Sequence, residues 1–328
     1  MGNCLNHSNK STAEIAPYGF IKSTTTTSAS TAAAVRLYGS PTSSITTYIR
    51  FALLYKTLSL QFIPTESHPV LEIGSDSISG SAEMILRFLD AKYPHPNLVL
   101  TENSGFSETT PLIVKAVVLH HRSMRWHLNR MVRWGEDLAT RGGRKTVDPK
   151  MGSPRMEIRK FGKSYSQLLE FMLEHAQMEE RVVFHLLELA DRGLCKAAIE
   201  EHARDLPIMN GIKEDIKSIG VLDTGNPDFR DALCNLSSRL KSLLEHCEEH
   251  FEEEERDVFP LMEAVELSKE QQLRVLEQCF DLMQGTHSHL FNFLIEGFLP
   301  WEAMQYLDLI LGCKGEERAG SILHRIIE

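Results

Sequence analysis

Cysteine is scarce in this chain of 328 residues, and its six copies, Cys4, Cys195, Cys234, Cys247, Cys279 and Cys313, include no C-x-x-C pair. That spacing excludes a zinc ribbon or RING module. Scattered thiols of this kind read as reduced, as in an intracellular compartment. Basic charge is also short: 35 Lys and Arg stand against 45 Asp and Glu, for a formal net charge of −10. A nucleic-acid groove needs clustered Lys and Arg, so that partner class is excluded. No apolar run approaches the ~18 residues that mark a membrane-spanning helix, and no signal peptide is recognisable. What is present is a composition that is 42% hydrophobic and 24% charged, enough to build a buried core. The length predicts two domains and a tail.

Residues 1–34, centred on "STTTTSASTAAA", are rich in Ser, Thr and Ala and poor in aromatics. Such a segment has too little to bury and is expected to be a disordered leader. Its start, "MGNCLNHS", puts Gly2 behind Met1 and Cys4 two residues on, resembling a dual myristoyl and palmitoyl signal, with Asn6 where that pattern has Ser or Thr. Two acyl chains would give a stable anchor where one gives a marginal one. The same Ser/Thr-rich, acid-poor leader also has the composition of a plastid transit peptide. A cytoplasmic or membrane-associated chain and a plastid one are both consistent with it.

From Val35 the texture changes. "AVRLYGSP" reads as a short strand, "ITTYIRFALLYK" as a helix through Ile45, Ile49, Ala52 and Leu53, "LSLQFIPT" and "HPVLEIG" as strands, and "SAEMILRFLDAKYP" as a helix stopped by Pro94. Strand, helix, strand, strand, helix is an α/β order. The pieces "LYGSP", "RFALLYK", "HPVLEIG" and "ILRFLDAKYP" resemble the N-terminal thioredoxin-like domain of glutathione S-transferases over 35–98. The resemblance implies a cis-proline at Pro69, glutathione pairing with the backbone at His68, and a thiolate-stabilising position at Ser43. The family's Ser-Pro reads Ser43-Ser44 here, and its pair for the γ-glutamyl end reads Ser81-Ala82. A scaffold without catalysis therefore stands beside a glutathione-dependent one.

After a polar connector at 99–110 nearly everything has helical periodicity. The stretch "EHCEEHFEEEERDVFP" from Glu245 carries eight carboxylates and two histidines, the composition of a solvated face. Its apolar stripe, however, runs Leu233, Leu236, Leu240, Leu243, Cys247, His250, Glu254, Val258, Leu261, which sets His250 and Glu254 on the buried seam. An earlier stripe, Tyr165, Leu168, Met172, His175, Glu179, Val182, Leu186, Leu189, also carries a His and a Glu one turn later. "HAQMEERVVFHLLE" from His175 and "HFEEEERDVFPLME" from His250 agree at eight of fourteen positions, an internal repeat offset by 75 residues. An unpartnered carboxylate in a core costs several kcal/mol or stays protonated, and a cation removes that cost. Side chains at i and i+4 share a helix face, so His-x-x-x-Glu offers a nitrogen and an oxygen to one metal site.

Two further seams complete the set. Val114, Val117, His121, Met124, Leu128 and Met131 make His121 a better candidate than His120, whose stripe meets Ser123, His127 and Arg130. Ile199, His202, Leu206 and Met209 point His202 inward, with Pro207 expected to kink or end that helix. The candidate ligands are His121, His175, Glu179, His202, His250 and Glu254. His120, His127, His185, His287 and His289 read as surface or packing residues.

"HFEEEERDVFP" and "HAQMEERVVFH" resemble the His-x-x-x-Glu-Glu hallmark of hemerythrin-like domains, and the likeness spans roughly 111–265. "LPWEAMQYLDLI" near Leu299 further resembles hemerythrin-like domains of plant iron regulators. The resemblance implies an up-down four-helix bundle holding two non-haem irons, with Glu179 and Glu254 bridging. Ala176 stands where some iron-sensing relatives add a carboxylate, and Leu206 where oxygen carriers have a second His on the third helix. The expected architecture is thus an α+β chain of two domains: a thioredoxin-like α/β domain (35–98), a four-helix bundle (111–265) and a C-terminal helical extension (266–328). Three functions are consistent with it: a diiron protein that binds or senses iron, O2 or NO with a thioredoxin-like docking domain; a glutathione-dependent transferase or reductase; and a membrane-tethered adaptor.

Overall fold

A computed structural model describes residues 35–56, 58–99, 106–146 and 148–313. The leader with Gly2 and Cys4, half of the connector, and the last fifteen residues of the C-terminal extension lie outside the described residues. The chain opens with β1 (Val35–Gly39), α1 (Ser44–Tyr55), β2 (Leu60–Pro64), β3 (Val70–Ile73), β4 (Asp76–Ser79) and α2 (Ala82–Lys92). The strands form one sheet in the order β2-β1-β3-β4. β1 and β2 are parallel, joined through α1, and β3 pairs antiparallel with both β1 and β4. β4 is the element that periodicity missed, because "DSIS" has no apolar alternation; Gly74, at φ 64°, supplies the turn before it. Val35, Leu37, Ile49, Phe51, Ala52 and Leu71 close the sheet against its helices, whereas Ile45, expected on the inner face of α1, is exposed.

Buried Lys56, just past α1, donates through Nζ to Asp90 Oδ1 and to the carbonyls of Tyr93 and Pro96. Asp90 in turn accepts the amides of Leu98 and Val99, so the polar atoms buried here satisfy one another. The one cis peptide among the described residues is His95–Pro96, not the bond before Pro69. Pro69 leads straight into β3 through the trans bond that X-Pro amides ordinarily prefer.

Four long helices follow: α3 (Leu112–Arg141), α4 (Pro154–Met178), α6 (Lys196–Val221) and α7 (Pro227–Glu253), with short α5 (Phe184–Ala190) continuing α4. Each long helix packs on the next and α7 closes back on α3, a helical bundle. Local signals set its ends. Ser153 and Asn226 cap α4 and α7 with Pro in the first turn, and Gly142, at φ 53°, ends α3. α6 runs through Pro207 without ending there. Pro207 and Ala203, one turn before it, are both exposed, so the backbone bond that proline forfeits lies on the wet side.

Helices α8 (Lys269–Leu282), α9 (Phe291–Glu296) and α10 (Pro300–Gly312) pack on α3 and α4, so α3 is buried on two faces. The stripe His120, Ser123, His127 serves this second face, as the packing reading expected. Glu174 locks the turn after α8 by accepting from the amides of Gly285 and Thr286 and from the Thr286 hydroxyl. On the other side of α10, Asp308 accepts the hydroxyl of Tyr48 from α1. Among the described residues no helix is long and apolar enough to cross a membrane.

The expected seams hold up to the two glutamates and then slip. Directly after His175 and His250, each helix widens into a π turn, Glu179–Val183 and Glu254–Val258, with the Phe184 and Phe259 amides donating to the Glu179 and Glu254 carbonyls. The extra residue in each turn shifts the buried face by one. Leu187 and Met262 are buried next to the expected Leu186, only partly buried, and Leu261, at 41% exposure, and Leu189, also expected inside, is 71% exposed.

Candidate metal centre

All six predicted metal-site residues meet in the middle of the bundle. α3 contributes His121, α4 and its π turn His175 and Glu179, α6 His202, and α7 and its π turn His250 and Glu254. All are buried except His202, whose side chain is 12% exposed. Their ligand atoms fall into two overlapping groups that share Glu179: His121 with His175, and His202 with His250 and Glu254. Glu179 Oε1 lies 3.5 Å from His121 Nε2 and 3.1 Å from His175 Nε2, while its Oε2 lies 3.5 Å from His202 Nε2. Glu254 Oε2 is 3.4 Å from His121 Nε2 and 3.5 Å from His250 Nε2, so it faces both groups.

A second ring of carboxylates orients the imidazoles. His121 Nδ1 is 3.0 Å from Glu255 Oε1, His202 Nδ1 is 3.0 Å from Glu180 Oε1, and His250 Nδ1 is 2.8 Å from Glu201 Oε2. A carboxylate only accepts, so each of these Nδ1 atoms carries a proton, and each Nε2 is turned toward the middle of the cluster. Glu255 is itself held by Arg125 Nη1 at 2.8 Å. Burial pushes the Glu255 carboxyl up, but His121 and Arg125 pull it below its ordinary value on balance.

The fit to a cation can be judged from what is left unpaired. His202 Nε2 and His250 Nε2 face each other at 3.0 Å, and His121 Nε2 and His175 Nε2 at 3.1 Å. Both oxygens of Glu179 and both of Glu254 are buried without a hydrogen-bond donor. Burial pushes the His175 and His250 imidazoles down, His250 to about 3, so neither supplies positive charge at neutral pH. Burial, with Glu179 and Glu201 beside it, pushes Glu254 well above the carboxylate range. Burial acts the same way on Glu179, yet the facing His175 and His121 hold it well below that range. Two carboxylates in one dry site thus keep a proton between them unless a cation replaces it. The donor set is compatible with metal binding, and an oxygen-and-imidazole set without thiolate suits iron or manganese better than structural zinc.

A cavity of about 310 Å³ opens beside the cluster, lined by His175, His202 and His250 together with Met172, Leu206 and Met209. It explains one departure from expectation on α6: Ile199 and Leu206 are about 40% exposed because they face this space rather than packed core.

The remaining predicted residues lie away from the cluster. Ser43 caps α1, its Oγ accepting the Thr46 amide, and exposed His68 and buried Pro69 sit just before β3. Sequence reasoning missed the supporting carboxylates and read Glu255 as part of a solvated face. The signal was in the repeat: Glu180 and Glu255 are the same position in its two copies, the second Glu of "EE". The first Glu of each pair turns inward, and the second reaches sideways to the histidine of a neighbouring helix.

Residues 112–262 match the family model described as the hemerythrin HHE cation binding domain. No curated protein matches the chain.

Proposed function

With a hemerythrin HHE cation-binding domain over residues 112–262, we propose that the protein holds two non-haem iron ions in the bundle core and uses them to bind or sense iron, O2 or NO. In this reading His121 and His175 hold one ion and His202 and His250 the other. Glu179 and Glu254 would supply carboxylate oxygens to this pair of sites. The observation that carries it is the pair of ring nitrogens, His202 Nε2 and His250 Nε2, turned toward each other beside buried carboxylate oxygens that have no donor. Bound iron would supply redox chemistry and an affinity for diatomic ligands. The chain's own contribution is to orient the imidazoles, exclude bulk water and leave a cavity through which a small molecule reaches them. Purified protein should bind two iron ions per chain and show ferric charge-transfer absorption, both lost in the His250→Ala, Glu254→Ala double variant. Failure to take up iron under anaerobic reconstitution, with the fold intact by circular dichroism, would refute the reading.

For the sheet-bearing N-terminal unit we propose a thioredoxin-like scaffold that docks a partner rather than one that activates glutathione. The sheet order and its single parallel pair support the fold. Two observations favour docking: the Ser43 hydroxyl is engaged as a helix cap, and Pro69 follows a trans bond. Turnover of glutathione with a standard electrophile, abolished by Ser43→Ala, would overturn this assignment.

A further inference from the structure

The two halves of the cluster are related by the internal repeat, and the supporting hydrogen bonds follow the same relation. Glu180 on the α4 side holds His202 of α6, and its counterpart Glu255 on the α7 side holds His121 of α3. Glu201, the residue before His202, holds His250 of α7. By the same relation the residue before His121 should hold His175 of α4. That residue is His120, and it does not. The His120 and His175 rings meet edge to face at 5.4 Å, and the Nδ1 atoms of both are buried without a hydrogen-bond partner.

The C-terminal helices fix His120 in this role. His287 Nδ1 lies 2.9 Å from the Met283 carbonyl, which only accepts, so His287 Nε2 is a lone pair and takes the Tyr306 hydroxyl proton at 2.7 Å. The Tyr306 oxygen is then left to accept from His120 Nε2, also at 2.7 Å. His120 thus spends its Nε2 on Tyr306, and an imidazole has nothing anionic to offer His175. An anionic partner on the far nitrogen raises the basicity of a metal-binding imidazole and fixes its ring; losing one such partner typically costs 10- to 100-fold in metal affinity.

We infer that the two metal positions are unequal by construction: the His202/His250 half, with a carboxylate behind each imidazole, fills first, and the His121/His175 half fills and empties at a metal activity about 10- to 100-fold higher. The inference rests on the dinuclear reading above. It makes occupancy of the second half, rather than of the whole centre, the quantity that tracks metal supply.

Anaerobic titration of the metal-free full chain with iron(II) against a competing chelator tests it. The expected isotherm has two steps of one ion each, separated by about 10- to 100-fold. Glu201→Ala, at a partly exposed position, should lower the tighter step until the two merge. His120→Glu should raise the weaker step and narrow the gap from the other side. Should His120→Glu fail to fold, Glu201→Ala decides alone. Uptake of two ions in one unresolved step by the wild type overturns the inference and leaves the dinuclear reading standing. A gap unchanged by Glu201→Ala overturns it as well, and absence of any uptake overturns both.

Discussion

The metal-free protein should lose stability as pH rises above neutrality, and Glu254→Gln should abolish that loss. In the fold Glu254 is raised well above its ordinary value by burial, with Glu179 and Glu201 adding to it, so it keeps a proton that the unfolded chain has released. A raised carboxyl contributes stability that is present below its unfolded value and is lost as pH climbs toward its folded value. The slope for one proton is about 1.4 kcal/mol per pH unit. Buried histidines run the other way: His120, His127, His175 and His250 are all lowered by burial, and His127 and His250 lie at about 3. Their contribution rises with pH and is complete once pH passes the ordinary histidine value near 6.5. Asp308, raised to about 6, likewise completes its change below that point. The buried thiols Cys195, Cys247 and Cys279 are raised and matter only near pH 9 and above. Between about pH 6.5 and 8.5 the falling contribution therefore comes chiefly from Glu254, and the metal-free protein should lose stability there at no more than about 1.4 kcal/mol per pH unit for that proton. Urea denaturation at three pH values across that window measures it. Metal-loaded protein should be flat there, because the carboxylate is already deprotonated on the ion. A flat profile for metal-free wild type, or an undiminished slope in Glu254→Gln, would refute the account of why the cluster needs a cation.

Leu187→Ala should cost about 2–5 kcal/mol and Leu189→Ala less than about 0.5, the reverse of what an unbroken helical seam requires; denaturant midpoints separate the two. Glu255→Ala should weaken metal binding about 10- to 100-fold without unfolding the bundle, read by chelator competition, since it removes the support of His121 and not a ligand. Lys56→Met should destabilise the sheet-bearing unit by about 3–5 kcal/mol, because Asp90 loses its cation in a partly buried place. A loss below about 1 kcal/mol would show that the amides of Leu98 and Val99 suffice to hold that carboxylate.

Much of the site was legible because the bundle writes its inside and outside in a 3–4 rhythm. Two histidines and two glutamates breaking an aliphatic stripe at matching places in a repeat could only face inward. His202 was harder: its neighbours Ile199 and Leu206 look like core and instead face a cavity, a distinction periodicity does not carry. The π turns were not legible, since a widened turn differs from an α-helical one by a single backbone bond. Leu186, Leu187, Leu189, Leu261 and Met262 are apolar alike, and their order alone does not say which will be buried. The supporting role of Glu255 was hidden for a different reason. An exposed carboxylate and one reaching sideways to a histidine on another helix look the same until that helix is placed. In the N-terminal unit, alternation revealed the strands that have a buried face, and β4, with almost none, was left to the structure.

The two π turns also bear on how this chain can change length. Each is one residue of slack stored immediately beneath a glutamate, so a shift in the stretch below it need not drag the His-x-x-x-Glu pair along. Deleting one residue from either turn would close it to an α-helical one and leave the residues below, Leu187 or Met262 among them, on the buried face they now occupy. The copies 75 residues apart hold their slack at the same place, so the two halves of the bundle stay in step below the cluster as well as at it.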